Sequence, residues 1–254
     1  MKGPIAMITG ATSGFGEATA KRLAKEGWNL ILTGRRVDRL EKLAKSLSKK
    51  YDVHILTQGY DVRIEEAVNE SVASLNGGWE KIDVLINNAG LAVGRSPIND
   101  GDSDDWNRMI DTNVKGLLYV TRAVSNLMKK RKKGHIVNIG SIAGKEVYDG
   151  GNVYCASKFA VDALTKAMRI ELLPLGIKVT QIAPGAAETE FSLVRFKDDQ
   201  AKADAVYNGF TPLSADDIAD TVHYAITRPK HVCLNDIVIM PTAQANSTTI
   251  LRNV

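Results

Sequence analysis

Residues Pro4–Gly27 read PIAMITGATSGFGEATAKRLAKEG. A short apolar run, Pro4–Thr9, leads through glycines at 10, 14 and 16 into a segment whose apolar residues recur at helical spacing. Strand, glycine turn and helix in that order place main-chain N–H groups and the positive end of a helix where a phosphate can sit. Gly10 serves the tight turn, Gly14 lets main chain approach a pyrophosphate, and Gly16 lets the helix pack closely on the strand.

The same alternation runs through the chain. Apolar β-rich runs recur as WNLILT (28–33), VHILTQ (53–58), IDVLIN (82–87), HIVNIG (135–140), IKVTQIA (177–183) and DIVIM (236–240). Amphipathic stretches such as Val37–Tyr51 and Ile64–Asn76 lie between them. Near-continuous apolar strands alternating with helices predict an α/β protein: a Rossmann-like, doubly wound sheet of seven parallel strands with helices on both faces. Ligands then bind at the carboxyl edge, where strand order reverses. The segment 188–213 breaks the rhythm, and its mixed polar and aromatic character predicts a mobile flap over that edge.

At 254 residues, 44% hydrophobic and 24% charged, the chain reads as one globular domain spanning 1–254. Two cysteines, Cys155 and Cys233, form no disulfide framework and point to a reducing compartment, hence the cytoplasm. The start, MKGPIAMITG, is too brief for a secretory apolar region and far short of the ~20 residues of a membrane span. A net charge of +4 draws attention to Lys129–Lys133. With no aromatic platform beside it, the run reads as the cationic close of a helix stopped by Gly134, so neither nucleic acid nor membrane is expected as a partner. His54, His135, His223 and His231 have no metal-ligand spacing, Trp28, Trp79 and Trp106 read as packing aromatics, and no metal is expected.

Chemistry-bearing residues cluster at strand ends. After the second strand stand Gly34-Arg35-Arg36, with no carboxylate to accept a ribose 2′-hydroxyl. Guanidinium forks match a phosphate, so NADP(H) rather than NAD is expected, with Arg35 and Arg36 on the 2′-phosphate. Asp61-Val62, after the third strand, are placed for the adenine amino group and ring face. Tyr154 precedes Lys158 by one helical turn, a spacing that can set an ammonium beside a phenol and draw its pKa down from about 10 toward proton transfer near neutral pH.

Thr9-Gly10-Ala11-Thr12-Ser13-Gly14-Phe15-Gly16 differs from GxGxxG and resembles the TGxxxGxG motif of the short-chain dehydrogenase/reductase superfamily. Asn87-Asn88-Ala89-Gly90, Asn113, and Ser141 thirteen residues before Tyr154 resemble its further elements, so the likeness covers essentially the whole chain. The resemblance implies cofactor contacts from Gly10, Thr12, Ser13, Gly14, Phe15, Gly16, Asn88, Ala89, Gly90, Tyr154, Lys158, Pro184, Gly185 and Thr189. It implies a catalytic set in which Tyr154 transfers the proton, Ser141 holds the substrate oxygen, Lys158 binds the nicotinamide ribose, and Asn113 perturbs its helix and fixes a water next to that lysine.

GATSGFGE, TGRR, NNAGLAVG, MIDTNVKGLLYVTRAV, GHIVNIGSIAG, GGNVYCASK, TEFSLVRFK and DIVIMPTAQA more closely resemble the branch of NADP-dependent serine 3-dehydrogenases, L-allo-threonine dehydrogenases and 3-hydroxy acid dehydrogenases. What that implies is hydride transfer between NADP and C3 of a small 3-hydroxy acid, with Arg195 clamping a substrate carboxylate or else serving an ion pair of the flap or a subunit interface, and a homotetramer. Ala186-Ala187-Glu188 depart from the bulkier apolar residues common in the branch. The competing readings are a reductase of 3-ketoacyl chains or other carbonyls, and a noncatalytic NADPH-binding protein.

Overall fold

Aliphatic side chains alternate between the two faces of the central strands, which is what a sheet covered on both sides requires. In the computed structural model, which describes residues 2–253, the strands are β1 (Ile5–Thr9), β2 (Asn29–Gly34), β3 (Ile55–Gly59), β4 (Val84–Asn87), β5 (Gly134–Ile139), β6 (Ile177–Pro184) and β7 (Asp236–Ile239). All pair in parallel, in the order β3-β2-β1-β4-β5-β6-β7. Ala6 and Ile8 of β1 join one apolar cluster with helices α1 (Gly14–Lys25), α2 (Val37–Lys50) and a late helix, Ala215–Ile226. Ile5 and Met7 join the opposite cluster, under α3 (Glu65–Ala73), the helix Leu117–Arg131 and the long helix Asn152–Leu172. Strand order reverses between β1 and β4, so their carboxyl ends open a crevice, as the sequence predicts.

The remaining helices in chain order are α4 (Ser103–Ile110), α5 (Leu117–Arg131), α6 (Asn152–Leu172), α7 (Glu190–Arg195), α8 (Gln200–Ala205) and α9 (Ala215–Ile226). A buried polar ladder ties β4 and β5 to α5 and α6. Asn87 donates to Thr121 Oγ1 (2.8 Å) and Asn138 Oδ1 (2.9 Å), and Asn138 donates to Thr165 Oγ1 (2.9 Å). The ladder joins these elements through its donors, while Asn87 Oδ1 has no hydrogen-bond partner among the described residues.

Gly134 does not stop α5. Lys132, at φ 49°, takes the left-handed cap, and Gly134 opens β5, where any Cβ would collide with Met128 Sδ. Arg131 and Lys133 both reach Asp83 Oδ1, at 2.8 Å each.

The two ends of segment 188–213 are clipped together. Glu188 N donates to Leu213 O (2.9 Å) and Leu213 N to Ala186 O (3.0 Å). Between the clips the chain forms α7 and α8, and the carboxyl-terminal tail lies against it: Asn253 N donates to Gly209 O (2.7 Å), and Arg252 donates to the carbonyls of Asn208 and Val206.

Candidate active site

The carboxyl ends of β1 to β6 frame a cleft of about 970 Å³. At its floor Gly10 and Gly14 take φ values of 65° and 51°, which L side chains rarely adopt. A Cβ on Gly16 would strike the carbonyl of Gly10, so helix α1 can begin this close to the strand only with glycine there. Asn88 holds the two strand ends together: its Nδ2 donates to Thr9 O (2.9 Å) and Gly10 O (3.2 Å), while Thr9 Oγ1 accepts from the amides of Asn88 (3.0 Å) and Ala89 (2.9 Å).

Arg36 crosses the mouth of this cradle. It donates to Thr12 Oγ1 at 3.1 and 2.8 Å and to Ser13 Oγ at 2.8 Å. Arg35 is more exposed, 3.9 Å from Asp61 Oδ2. Burial alone would raise the Asp61 carboxyl, but hydrogen bonds from the side chain and amide of Arg63 hold it below the ordinary carboxylate value. Val62 is buried beside it and packs against Gly116.

Asn113 sits in a π-helical turn, Asp111–Gly116, between α4 and α5. Its Oδ1 accepts from Leu91 N (2.8 Å), and its Nδ2 donates to Leu91 O (2.8 Å) and Ser157 Oγ (2.9 Å). Ser157 Oγ in turn donates to Tyr154 O (2.7 Å). One asparagine therefore ties the segment after β4 to the first turn of α6.

Tyr154 and Lys158 are both buried on α6. The Lys158 ammonium lies 5.9 Å from the Tyr154 ring centroid and donates to Ile139 O at 2.9 Å. Burial drops the Lys158 pKa to about 8. The expectation that this ammonium draws the phenol down is corrected: the Tyr154 pKa moves up, because burial dominates and Tyr148 adds to it. Ser141 and Arg195 act in the opposite sense on the same phenol. Ser141 caps a short turn after β5, its Oγ accepting from Ala143 N at 3.1 Å.

Above Tyr154 lies α7. Thr189 is its N-cap, with its side chain against Gly14; Phe191 sets its ring 5.6 Å from that of Tyr154. The Arg195 guanidinium stands 5.2 Å from the Tyr148 ring and 5.9 Å from the Tyr154 ring, and its buried Nε has no hydrogen-bond partner among the described residues. Gly185 is packed under Gln244 of the tail, whose Oε1 accepts from Ala186 N at 2.7 Å, next to Pro184 at the end of β6.

Gly10, Thr12, Ser13, Gly14, Phe15, Arg35, Arg36, Asp61, Val62, Asn88, Ala89, Gly90, Ser141, Tyr154, Lys158, Pro184, Gly185, Thr189 and Arg195 all line the one cleft. Gly16 and Asn113 stand behind its wall and shape it. Sequence reasoning missed Tyr148, Arg95, Arg39 and Glu190. Arg95 and Tyr148 line the substrate side, and Arg39 and Glu190 pair at 2.9 Å beside Arg36. Arg39 had a signal, since it falls one turn after Arg36 and so shares a helix face with it. Glu190 had none short of the fold.

Comparison with known proteins agrees with this fold. The family described as short chain dehydrogenase matches residues 4–200. The chain is 49% identical to sulfoacetaldehyde reductase 2 of Chromohalobacter salexigens over 95% of both chains. It is 46% identical to an NADP-dependent 3-hydroxy acid dehydrogenase of Salmonella typhi over 95% of this chain and 96% of that one. The closed form of a serine dehydrogenase complexed with NADP+ superposes with a TM-score of 0.91 at 42% identity, covering 98% of this chain and all of the other.

Proposed function

Since the chain belongs to the short-chain dehydrogenase family, we propose that it is an NADP(H)-dependent oxidoreductase acting at C3 of small 3-hydroxy acids, 3-hydroxy amino acids such as L-serine or L-allo-threonine among them. The carrying observation is a buried Tyr154 that shares one cleft with Ser141, Lys158 and the Gly10–Gly16 cradle, beneath the guanidinium of Arg195.

The cradle fits a dinucleotide: Gly16 leaves no room for a Cβ, and Gly10 and Gly14 bring main chain to the cleft floor. In this reading the pyrophosphate lies on Gly10–Gly16 with Thr12, Ser13 and Phe15. The 2′-phosphate lies on Arg35 and Arg36, and the adenine by Asp61 and Val62. The riboses lie along Asn88-Ala89-Gly90, and the nicotinamide by Pro184, Gly185 and Thr189. When bound, the nicotinamide accepts or supplies the hydride.

The chain's own side chains manage the proton and the charge. Tyr154, held protonated by burial, gives its proton to the substrate oxygen in reduction and recovers it in oxidation. Ser141 steadies that oxygen. Lys158 fixes the ribose and stays mostly protonated at neutral pH, with a pKa of about 8. Asn113 positions the main chain of Leu91 and holds α6 in register, so that a water can link its helix to Lys158. Arg195 receives the anionic head of the substrate.

A guanidinium accepts a sulfonate as readily as a carboxylate, and one relative reduces sulfoacetaldehyde by name, so a two-carbon sulfonated aldehyde is the second reading. We also infer a homotetramer acting in the cytoplasm. Leu118 on α5, Phe159 and Ile170 on α6, and Leu173 just after it expose apolar area that an interface would cover. No helix among the described residues is long and apolar enough to cross a membrane.

The test is one plate. L-serine, L-allo-threonine, 3-hydroxypropionate, 3-hydroxybutyrate and 3-hydroxyisobutyrate are offered with NADP and with NAD, beside sulfoacetaldehyde with NADPH. Turnover of 3-hydroxy acids with NADP supports the main reading. Turnover confined to sulfoacetaldehyde selects the second, and turnover only of uncharged ketones overturns both.

A further inference from the structure

Three consecutive residues of the 188–213 segment touch three different parts of the cleft. Thr189 lies against Gly14, Glu190 reaches the guanidinium groups of Arg36, which caps α2, and Arg39 in its first turn, and Phe191 packs on the Tyr154 ring. The Glu190 carboxylate accepts from Arg36 Nη1 at 3.1 Å and from Arg39 Nη1 at 2.9 and 3.2 Å. Arg36 is fixed from below by Thr12 and Ser13, whereas Glu190 is the acidic partner of Arg39 among the described residues. Burial alone would raise the Glu190 carboxyl, but hydrogen bonds from Arg39 and Arg36 keep it below its usual range.

We propose that Glu190 is a determinant of cofactor choice: its carboxylate competes with the cofactor's 2′-phosphate for Arg36 and Arg39, so that phosphate binding exchanges one anion for another and unlatches α7 from α2. This rests on the assignment of Arg36 to the 2′-phosphate. The physical case has two parts. Donors of one guanidinium edge cannot be directed fully at two anions, and a phosphate monoester, with a charge near −2 and three acceptor oxygens, outcompetes a carboxylate for them. A cofactor without the 2′-phosphate brings no such anion and leaves the latch closed. Because Phe191 follows Glu190 directly, the exchange at one end of the cleft is felt at the Tyr154 ring at the other.

The decisive measurement is a calorimetric titration of wild type and Glu190→Gln with 2′,5′-ADP and with 5′-AMP, which differ in the 2′-phosphate and carry no nicotinamide. Exposed charge pairs of this kind set the scale, so 2′,5′-ADP should bind Glu190→Gln about threefold to fivefold more tightly than wild type, with 5′-AMP unchanged. Hydrogen exchange at amides 190–196 should be faster in Glu190→Gln than in wild type, and 2′,5′-ADP should speed it in wild type. Equal or weaker binding of 2′,5′-ADP by Glu190→Gln overturns the competition, as does a parallel shift for both nucleotides. A wild-type protein that binds 2′,5′-ADP no better than 5′-AMP overturns the 2′-phosphate assignment itself, and the competition with it.

Discussion

In the Gly10–Gly16 cradle at the cofactor end of the cleft the wall is glycine and main chain, braced by the side chains of Thr9 and Asn88, with Arg35 and Arg36 at its rim. Asn88 spends its amide on Thr9 and Gly10, and Thr9 spends its hydroxyl on Asn88 and Ala89. At the substrate end the walls are side chains from separate segments: Arg95, Tyr148, Phe191 and Arg195. Arg195 faces the rings of Tyr148 and Tyr154, and Phe191 faces that of Tyr154, at 5.2–5.9 Å, while Arg95 donates to Asp149 O at 3.4 Å. The first construction depends on shape that any Cβ would spoil. The second depends on residues that can be exchanged without disturbing the sheet, which is how one scaffold keeps its cofactor while its substrate changes.

The sharpest way to test this division is to remove the group between the ends. Tyr154→Phe should lower turnover by about 10²–10⁴-fold, the span of a lost general acid, while leaving NADPH affinity near wild type. Single-turnover kinetics and a fluorescence titration read the two separately. Substantial residual turnover would show that another group supplies the proton.

Next in size is the cofactor end. Arg36→Ala removes charge-assisted contacts worth about 1.5–3 kcal/mol, so NADPH should bind roughly ten- to a hundredfold more weakly, with NADH nearly unaffected. Equal weakening of both would mean that Arg36 merely stiffens the cradle through Thr12 and Ser13. At the substrate end, Arg195→Leu should lower kcat/KM for anionic substrates about tenfold, through KM, and leave NADPH binding alone. A drop in NADPH affinity instead would join the two ends into one unit.

The same contrast explains what the chain discloses before it is folded. The strands and the cradle are local: Ile5–Thr9 and Gly10–Gly16 carry their own periodicity and conformational demands within a dozen residues. Asn113 and Ser141 were legible through their order relative to Tyr154, and the π-helical turn at Asn113 accords with the helix perturbation that the resemblance implies. Gly134 was misread because its need is tertiary, set by Met128 rather than by its own φ. The direction of the Tyr154 pKa was misread for a like reason, since i,i+4 spacing reports proximity but not burial, and here burial dominates. Glu190 lies 154 residues from Arg36, and nothing in either stretch announces the other.

A smaller effect tests how the 188–213 segment is held over the substrate end. Lys197, just beyond α7, places its Nζ 2.8 Å from the buried carboxylate of Asp105 on α4, with Asp102 at 3.7 Å. Asp105 packs in turn against Gly94, in the segment that follows β4, so this pair ties the far side of α7 to α4 and to that segment. Lys197 is 55% exposed, and the tie is therefore open to screening by salt. Lys197→Gln should raise KM for the acid substrate about twofold to threefold at low ionic strength, with kcat and NADPH affinity unchanged. At about 0.5 M salt the gap between the variant and wild type should narrow, because the exposed half of the wild-type pair is then partly screened. Steady-state kinetics at the two ionic strengths reads this directly. A salt-independent defect would show that Lys197 acts by shaping the turn after α7, where it adopts φ 51°, rather than by charge.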